Sequence, residues 1–221
     1  MGRGWNAGEC RAVYARLFHE LGILNSEFGS VNQQCDPHEV MIYLSETFDY
    51  LFSDCQLEMN ESMRCPGCQT SRERTVKTFC QSLAMRSDLI TAWDFFLQPS
   101  QIQDWECGHG GCPYKGVCLL QLRLVTTGRY VCFHMKRWAG ISHRKNRAEL
   151  CILETMLIGT QHYKLYAILE HYGRSRRSGH YVAFVMEDAA WTCLDDTQVT
   201  PQPPNCTTNT DAYIIIYKLQ Q

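Results

Sequence analysis

YKLYAILEHYGRSRRSGHYVAFVMEDAAWTCLDD, the stretch from Tyr163 to Asp196, decides the fold that we expect for this chain. Its second half contains two apolar runs, residues 181–186 and 190–194, that are typical of short β-strands. Between them, Glu187 and Asp188 are predicted to form a tight turn. A hairpin of this kind fixes which side chains of the two strands lie opposite each other.

The predicted hairpin pairs a histidine with an acid. With this turn, Phe184 faces Trp191, and His180 lies opposite Asp195 within reach of a cross-strand contact. A slip of one residue in the register would present Asp196 instead. A histidine beside a carboxylate is half of a nucleophilic catalytic site. The alternative interpretation is a surface histidine with an acidic neighbour.

Length and charge exclude several classes of protein. The 221 residues can bury a sizeable core, and a net charge of −2 with a pI near 6.4 provides no basic field to hold a phosphate backbone. No apolar run approaches the length of a membrane span, and the N-terminus lacks a signal-peptide core. We therefore expect a cytoplasmic or nuclear protein with neither nucleic acid nor a membrane as its partner.

Thirteen cysteines would indicate disulfides in a secreted chain, but their odd number and the missing secretion signal favour thiols and metal ligands. Four of them form two pairs separated by a long insert: Cys65, Cys68, Cys107 and Cys112. The Pro-Gly turn of the first pair suits a tetrahedral zinc ion, so we predict a structural Zn²⁺ clasp. In the second pair, His109 or Cys118 could replace one member, and unliganded reduced cysteines are the alternative.

The remaining sequence predicts helices first and an antiparallel sheet after them, an α+β architecture. Residues 11–22 have the apolar spacing of a short amphipathic helix. A second helix begins at a clear signal, with Asp36 as N-cap, Pro37 at the first position and Glu39 placed to complete a capping box. Residues 89–96 indicate a further helix. Strands are predicted at 120–125, 129–136, 163–171, 212–218 and in the hairpin.

Five segments, taken in order, resemble the ubiquitin-specific proteases, a papain-like group of deubiquitinating enzymes. They are the polar segment 33–39, the two cysteine pairs, GRYVCFHMKRW at 128–138, the stretch quoted above, and AYIIIYK at 212–218. The resemblance implies a papain-like fold with a palm, zinc-holding fingers and a reduced or missing helical thumb. It also implies one domain over residues 1–221, with the thumb remnant at 1–60, the fingers at 61–119 and the palm at 120–221.

The same resemblance implies a function. A deubiquitinase uses a thiol to hydrolyse the bond after the C-terminal glycine of ubiquitin, so ubiquitin or ubiquitinated proteins are the expected partners. His180 would be the general base and Asp195 the residue that orients it. Asp36 and Glu39 correspond to positions that contact the basic tail of ubiquitin, although their role at a helix N-terminus is a competing explanation.

One part of the family pattern is missing from the sequence. The nucleophile of the family lies in a Gly-Asn-Thr-Cys segment that opens a helix, and this chain contains no such segment. Cys10, after a glycine and before the first predicted helix, is the nearest candidate. The sequence therefore leaves two hypotheses open: a deubiquitinase whose activity depends on whether Cys10 replaces the missing nucleophile segment, and a catalytically silent relative that binds ubiquitin or acts as a scaffold. A zinc-ribbon scaffold would leave the strand motifs unexplained.

Overall fold

A computed structural model describes residues 19–23, 35–138, 144–175 and 178–220 of the chain. The described part consists mainly of β-strands with few helices, in agreement with the predicted α+β class. Residues 19–23 are helical, and the other helices are α1 (Pro37–Thr47), a 3-10 helix (Asp49–Cys55) and α2 (Leu89–Leu97). None of the helices within these ranges has the length and apolarity that a membrane span requires.

Twelve strands are described, and they form two sheets. In chain order they are β1 (Leu57–Arg64), β2 (Ser71–Thr78), β3 (Cys80–Ala84), β4 (Ser100–Glu106), β5 (Lys115–Thr127), β6 (Tyr130–Lys136), β7 (Thr155–Ile158), β8 (Gln161–Ser175), β9 (Ser178–Glu187), β10 (Ala190–Asp195), β11 (Gln198–Thr200) and β12 (Ala212–Leu219). We call the four-stranded sheet, in the order β2-β1-β5-β4, the finger sheet. The eight-stranded sheet is the palm sheet.

The palm sheet runs in the order β11-β10-β9-β8-β12-β6-β3, with β7 paired to β8. All its pairs are antiparallel except β3 with β6. The central strand β12 reads AYIIIYKL and is almost continuously buried, because it lies between β8 and β6 and packs on both faces. Helix α2 closes one side of the core through Leu89, Ala92 and Trp93, whose ring lies 5.4 Å from that of Phe133.

Helix α1 begins where the sequence predicts. The Asp36 side chain accepts a hydrogen bond of 2.9 Å from the backbone N–H of His38, and Pro37 occupies the first turn, where no helical N–H is required. Most of the predicted helix at 11–22 lies outside the described residues, although residues 19–22 within it are helical. The predicted helix at 89–96 is confirmed as α2.

The predicted strands are all present, each within a few residues of its expected bounds. The strands missed from the sequence are β1 to β4, β7 and β11. The finger strands were missed because residues 65–118 are rich in polar residues and cysteine, and a solvated sheet such as β2, SRERTVKT, carries no apolar alternation. The finger sheet extends from Leu57 to Thr127, whereas β3 and α2, which lie within that interval of sequence, belong to the palm.

The register predicted for the β9–β10 hairpin is wrong by two residues. Cys193, not Trp191, pairs with Phe184, and Glu187 pairs with Ala190. The turn is formed by Asp188 and Ala189, both with positive φ, of 47° and 64°. Two successive residues with positive φ are the signature of a type I′ turn, whose twist matches that of the flanking strands. Moving the turn by one residue shifts every pair by two, so each side chain stays on its predicted face.

Candidate functional site

His180 and Asp195 lie on the same face of the palm sheet. His180 is in β9, directly opposite Tyr172 of β8, and Asp195 is the last residue of β10. In the observed register Asp195 is one diagonal step from His180 rather than directly across from it, and long side chains can span such a step. The predicted contact is therefore present, although the predicted register is not.

A short hydrogen bond joins the two side chains, with 2.5 Å between His180 Nε2 and Asp195 Oδ1. A carboxylate can only accept, so Nε2 carries the proton and the neutral imidazole keeps its lone pair on Nδ1. The two side chains retain 43% and 45% of their accessible surface, so a substrate can reach them. This arrangement supplies an oriented base whose Nδ1 can accept a proton from a nucleophile.

A buried polar network lies beside this pair on the same face. The hydroxyl of Tyr172, the cross-strand neighbour of His180, donates to one carboxylate oxygen of buried Glu170, and the side-chain amide of Asn209 donates to the other. Burial and the adjacent Glu170 carboxylate raise the pKa of Tyr172. The sequence did not predict a role for these residues, although Glu170 and Tyr172 lie at even-numbered positions of the same stretch as His180 and therefore on its face of the sheet.

Asp196 also approaches the pair. One ligand-type atom from each of His180, Asp195 and Asp196 lies within 4.8 Å of the others. Asp196 has a positive φ of 50°, which turns the chain out of β10. The alternative acid named from the sequence is thus a neighbour of His180, while the hydrogen bond is made by Asp195.

The four predicted metal ligands come together at the tip of the finger sheet. Cys65 and Cys68 are in the turn that links β1 to β2, and Cys107 and Cys112 are in the loop that links β4 to β5. Their sulfur atoms all lie within 4.8 Å of one another. The Sγ distances are 3.9 Å for Cys65–Cys112 and 3.6 Å for Cys68–Cys107. Sulfur atoms bound to a tetrahedral zinc ion at about 2.3 Å would be separated by similar distances.

The backbone around the cluster explains how two short loops converge. The Cys65 N–H donates to the Thr70 carbonyl, and the Cys107 N–H donates to the Tyr114 carbonyl, so each cysteine pair closes the end of a hairpin. A Cβ on Gly67 would lie only 2.9 Å from Tyr114 Cβ, which shows how closely the two loops pack. Hydrogen bonds from Thr70 lower the pKa of the Cys68 thiol to about 6, whereas, against a hydrogen bond from the His109 backbone, burial and the neighbouring thiols raise the pKa of the Cys107 thiol to about 12.

The two substitute ligands considered from the sequence, Cys118 and His109, contribute none of the clustered sulfur atoms. Cys118 is fully buried in β5, where its thiol donates to the Arg64 carbonyl. The His109 carbonyl accepts a hydrogen bond from the Cys112 N–H. Within the described residues, the cluster therefore consists of the four cysteines of the two pairs.

Asp36 and Glu39 differ in their surroundings. Asp36 is buried, and besides capping α1 through Oδ1 it accepts a hydrogen bond of 2.6 Å from the Tyr213 hydroxyl through Oδ2. This carboxylate thereby ties α1 to the central strand of the palm. Glu39 is exposed on the first turn of α1, where a partner can reach it. Cys10, the candidate nucleophile, lies outside the described residues.

Comparison with known proteins points to one family. Residues 13–217 match the sequence model of a family described as ubiquitin carboxyl-terminal hydrolase. The chain is 30% identical over 118 residues to ubiquitin carboxyl-terminal hydrolase 23 of Arabidopsis thaliana, covering 48% of this chain and 14% of that protein. It is 27% identical to ubiquitin carboxyl-terminal hydrolase 20 of Arabidopsis thaliana, covering 91% of this chain and 33% of that protein.

Solved structures share the fold. The SAGA DUB module bound to monoubiquitin contains a chain that superposes with a TM-score of 0.79 at 19% identity, over 94% of this chain and 53% of that one. The SAGA Ubp8 DUB module bound to ubiquitin aldehyde gives a TM-score of 0.77 at 19% identity, over 94% and 54% of the two chains. The present chain thus spans about half the length of these neighbours and a third or less of the two Arabidopsis relatives.

Proposed function

Because the chain belongs to the ubiquitin carboxyl-terminal hydrolase family, as its resemblance to the ubiquitin-specific proteases predicted, we propose that it takes part in thiol-dependent hydrolysis of the bond after the C-terminal glycine of ubiquitin. The single observation that carries this proposal is the hydrogen bond between His180 Nε2 and Asp195. It leaves Nδ1 of an exposed imidazole as the base, which is the half of a cysteine-protease site that positions and moves the proton.

In this proposal each residue of the dyad has one task. Nδ1 of His180 accepts the proton of the attacking thiol, and the resulting imidazolium donates it to the leaving lysine amine. Asp195 keeps Nε2 protonated and stabilises the positive charge that forms on the ring. In the described part of the chain, the hydrogen-bond partner of the imidazole is Asp195, and no cysteine thiol bonds to it. We assign Cys10 as the candidate nucleophile that needs testing.

The four-cysteine cluster fits a structural zinc ion. Four sulfur donors at near-tetrahedral spacing leave no position for a reacting water, so the ion would stabilise the finger tip without entering the reaction. Cys65, Cys68, Cys107 and Cys112 would hold it. The finger sheet would then present a fixed surface to the globular body of ubiquitin, and Glu39, with Asp36 behind it, would face the basic tail.

A ubiquitin probe with a thiol-reactive C-terminus tests the proposed activity. If the chain is a deubiquitinase, the probe labels it, and Cys10→Ala abolishes the labelling. His180→Ala should slow labelling strongly while leaving ubiquitin binding intact, because the imidazole acts on the thiol. Labelling that persists at full rate in His180→Ala would contradict the assignment of the base.

The absence of a Gly-Asn-Thr-Cys segment from the sequence favours a second candidate function, a silent relative that binds ubiquitin without cleaving it. Saturable binding of ubiquitin with no labelling by the probe would establish this function. Leu157→Asp, placed on an exposed position of β7, provides a control for nonspecific apolar binding. A chain that neither binds ubiquitin nor reacts with the probe would refute both candidates.

A further inference from the structure

His171 is a buried histidine that the proposed reaction does not use. It lies in β8, directly across from Tyr181 of β9, and its accessible surface is zero. Neither ring nitrogen hydrogen-bonds to the described part of the protein. Its backbone, in contrast, is fully engaged, because its N–H donates to the Asp211 carbonyl and its carbonyl accepts from the Lys145 ammonium. The backbone of His171 is therefore held in place, and the ring contributes its shape rather than a hydrogen bond to the described residues.

The shape of the ring fits a slot between two glycines. A Cβ on Gly179 would lie 2.2 Å from His171 Nε2, and a Cβ on Gly173 would lie 2.7 Å from His171 Cε1. Both distances are far below a van der Waals contact, so any side chain at either glycine would displace the imidazole. The rings of Trp138 and Tyr181 complete the slot, with centroids 5.0 Å and 4.7 Å from that of His171.

The alternation of the strand relates this slot to the dyad. Gly179 and His171 project on one face of the β8–β9 pair, and the next residue, His180, projects on the other face towards Asp195. The imidazole of His171 thus lies against the backbone of Gly179, the residue before His180, on the face of the strand opposite to the His180 side chain. If the Gly179 backbone moved into the slot, the His180 side chain would rotate away from the Asp195 carboxylate.

We propose that His171 is a positioning residue: by filling the slot behind Gly179, its ring fixes the strand so that His180 donates to Asp195 through Nε2. The catalytic importance of this positioning rests on the proposed function, whereas the geometry itself does not depend on any nucleophile. A flat five-membered ring fills the slot, whereas an aliphatic side chain has a different shape and leaves Gly179 able to move. Burial, with the nearby Lys145 charge, lowers the pKa of His171, so the ring remains neutral there.

Nuclear magnetic resonance of the imidazole nitrogens tests the proposal on the whole chain without any turnover. In the native protein His180, assigned by comparison with His180→Gln, should show the tautomer protonated at Nε2. His171→Leu should lose this single tautomer, as Asp195→Asn should. A merely structural role would change thermal stability and leave these signals in place.

Leu169→Ala is the matched control. Leu169 lies two residues earlier on the same face of β8, across from Ala183, and its truncation should destabilise the sheet without reaching Gly179. We expect Leu169→Ala to keep the His180 tautomer. Retention of that tautomer in His171→Leu as well would overturn the proposal.

If His171→Leu does not fold, His171→Ala decides the question, because it empties the slot and leaves the Gly179 backbone unchanged. Loss of the His180 tautomer in this variant supports the positioning role, and its retention overturns it. The ubiquitin probe is scored separately. If the native chain neither binds ubiquitin nor reacts with the probe, the proposed function is refuted. The positioning role still stands in that case if His171→Leu loses the His180 tautomer.

Discussion

At the scale of the residue, one hydrogen bond decides which nitrogen of His180 is available to accept a proton. Because Asp195 accepts from Nε2, the lone pair is at Nδ1, the atom nearer the backbone. The His180 ring, the base of the proposed function, is therefore held by its own strand and by Asp195 at the end of β10. A residue that transfers a proton needs both a fixed backbone and a ring held in one orientation.

Asp195→Asn tests whether the Asp195 carboxylate orients the His180 ring. The amide can still contact the imidazole, but it carries no charge to stabilise the imidazolium and can favour the wrong tautomer. If the chain reacts with the ubiquitin probe, we expect the rate of labelling to fall by about 10²- to 10⁴-fold, the range that general acid–base catalysis contributes. Ubiquitin affinity should not change. Asp196→Asn is the control, and an equal loss in that variant would mean that both acids orient the base.

His171 makes stability depend on pH. Burial, with the neighbouring Lys145, lowers the folded-state pKa of His171 below its ordinary value near 6.5. The unfolded chain then takes up a proton at a higher pH than the folded chain does, so the free energy of unfolding falls as the pH drops below 6.5. We expect urea unfolding between pH 7 and pH 5 to show this decline and His171→Leu to reduce its slope. An unchanged slope would contradict the assignment.

At the scale of the element, the β9–β10 turn shows what the sequence could and could not predict. Alternation of apolar residues identified both strands, because strand burial has a period of two. The turn was misplaced because alanine seldom adopts a positive φ. The local sequence therefore did not indicate that strand pairing would impose this conformation on Ala189. The dyad was nevertheless predicted correctly as a contact, since faces depend on parity and not on the exact pair.

Ala189→Gly should stabilise the chain. An alanine at a φ of 64° costs about 1 kcal/mol relative to an unstrained backbone, and Asp-Gly is among the preferred sequences for a type I′ turn. Urea unfolding should show a gain of up to about 1 kcal/mol. Ala190→Gly, at a paired position of β10, should instead destabilise the strand. A loss of stability in Ala189→Gly would show that the turn has another conformation.

The finger tip gives a prediction for metal removal. If zinc holds the cluster, a chelator should unfold the two loops and lower the melting temperature, because metal affinity is folding free energy for such a site. Cys65→Ser should lose bound zinc, as measured by metal analysis. Cys118→Ser should keep it, since Cys118 is buried outside the cluster. Zinc retained at full stoichiometry in Cys65→Ser would eliminate this site.

At the scale of the whole molecule, the two sheets meet at a glycine. Gly128 follows the last residue of β5 in the finger sheet and precedes β6 of the palm by two residues. Its N–H donates to the Gln56 carbonyl, and its carbonyl accepts from the Tyr163 hydroxyl. A Cβ at Gly128 would lie 2.3 Å from the Asp54 carbonyl oxygen. Nothing in the local sequence predicts this close approach, because the contacting backbone is distant along the chain.

Gly128→Ala should therefore destabilise the junction by about 1–3 kcal/mol, the usual cost of overpacking a rigid site. Thermal unfolding measures the effect. Gly116→Ala provides the comparison, because its added methyl group would meet only the end of the Tyr114 side chain, at 3.1 Å, and that side chain can move. Equal losses in the two variants would mean that the junction tolerates displacement.

The parity of the β9–β10 hairpin limits how this protein can change in length. One residue inserted between His180 and Phe184 would move the imidazole to the other face of the sheet. One residue inserted between Cys193 and Asp195 would do the same to the carboxylate, so either insertion would separate the pair. Two residues inserted into β9 would keep both groups on one side but move them two positions further apart, whereas two inserted into β10 would bring Asp195 directly opposite His180. Length variation that preserves this contact is consequently limited to two-residue steps in β10 and to the turn itself, where added residues extend a loop without altering the strands.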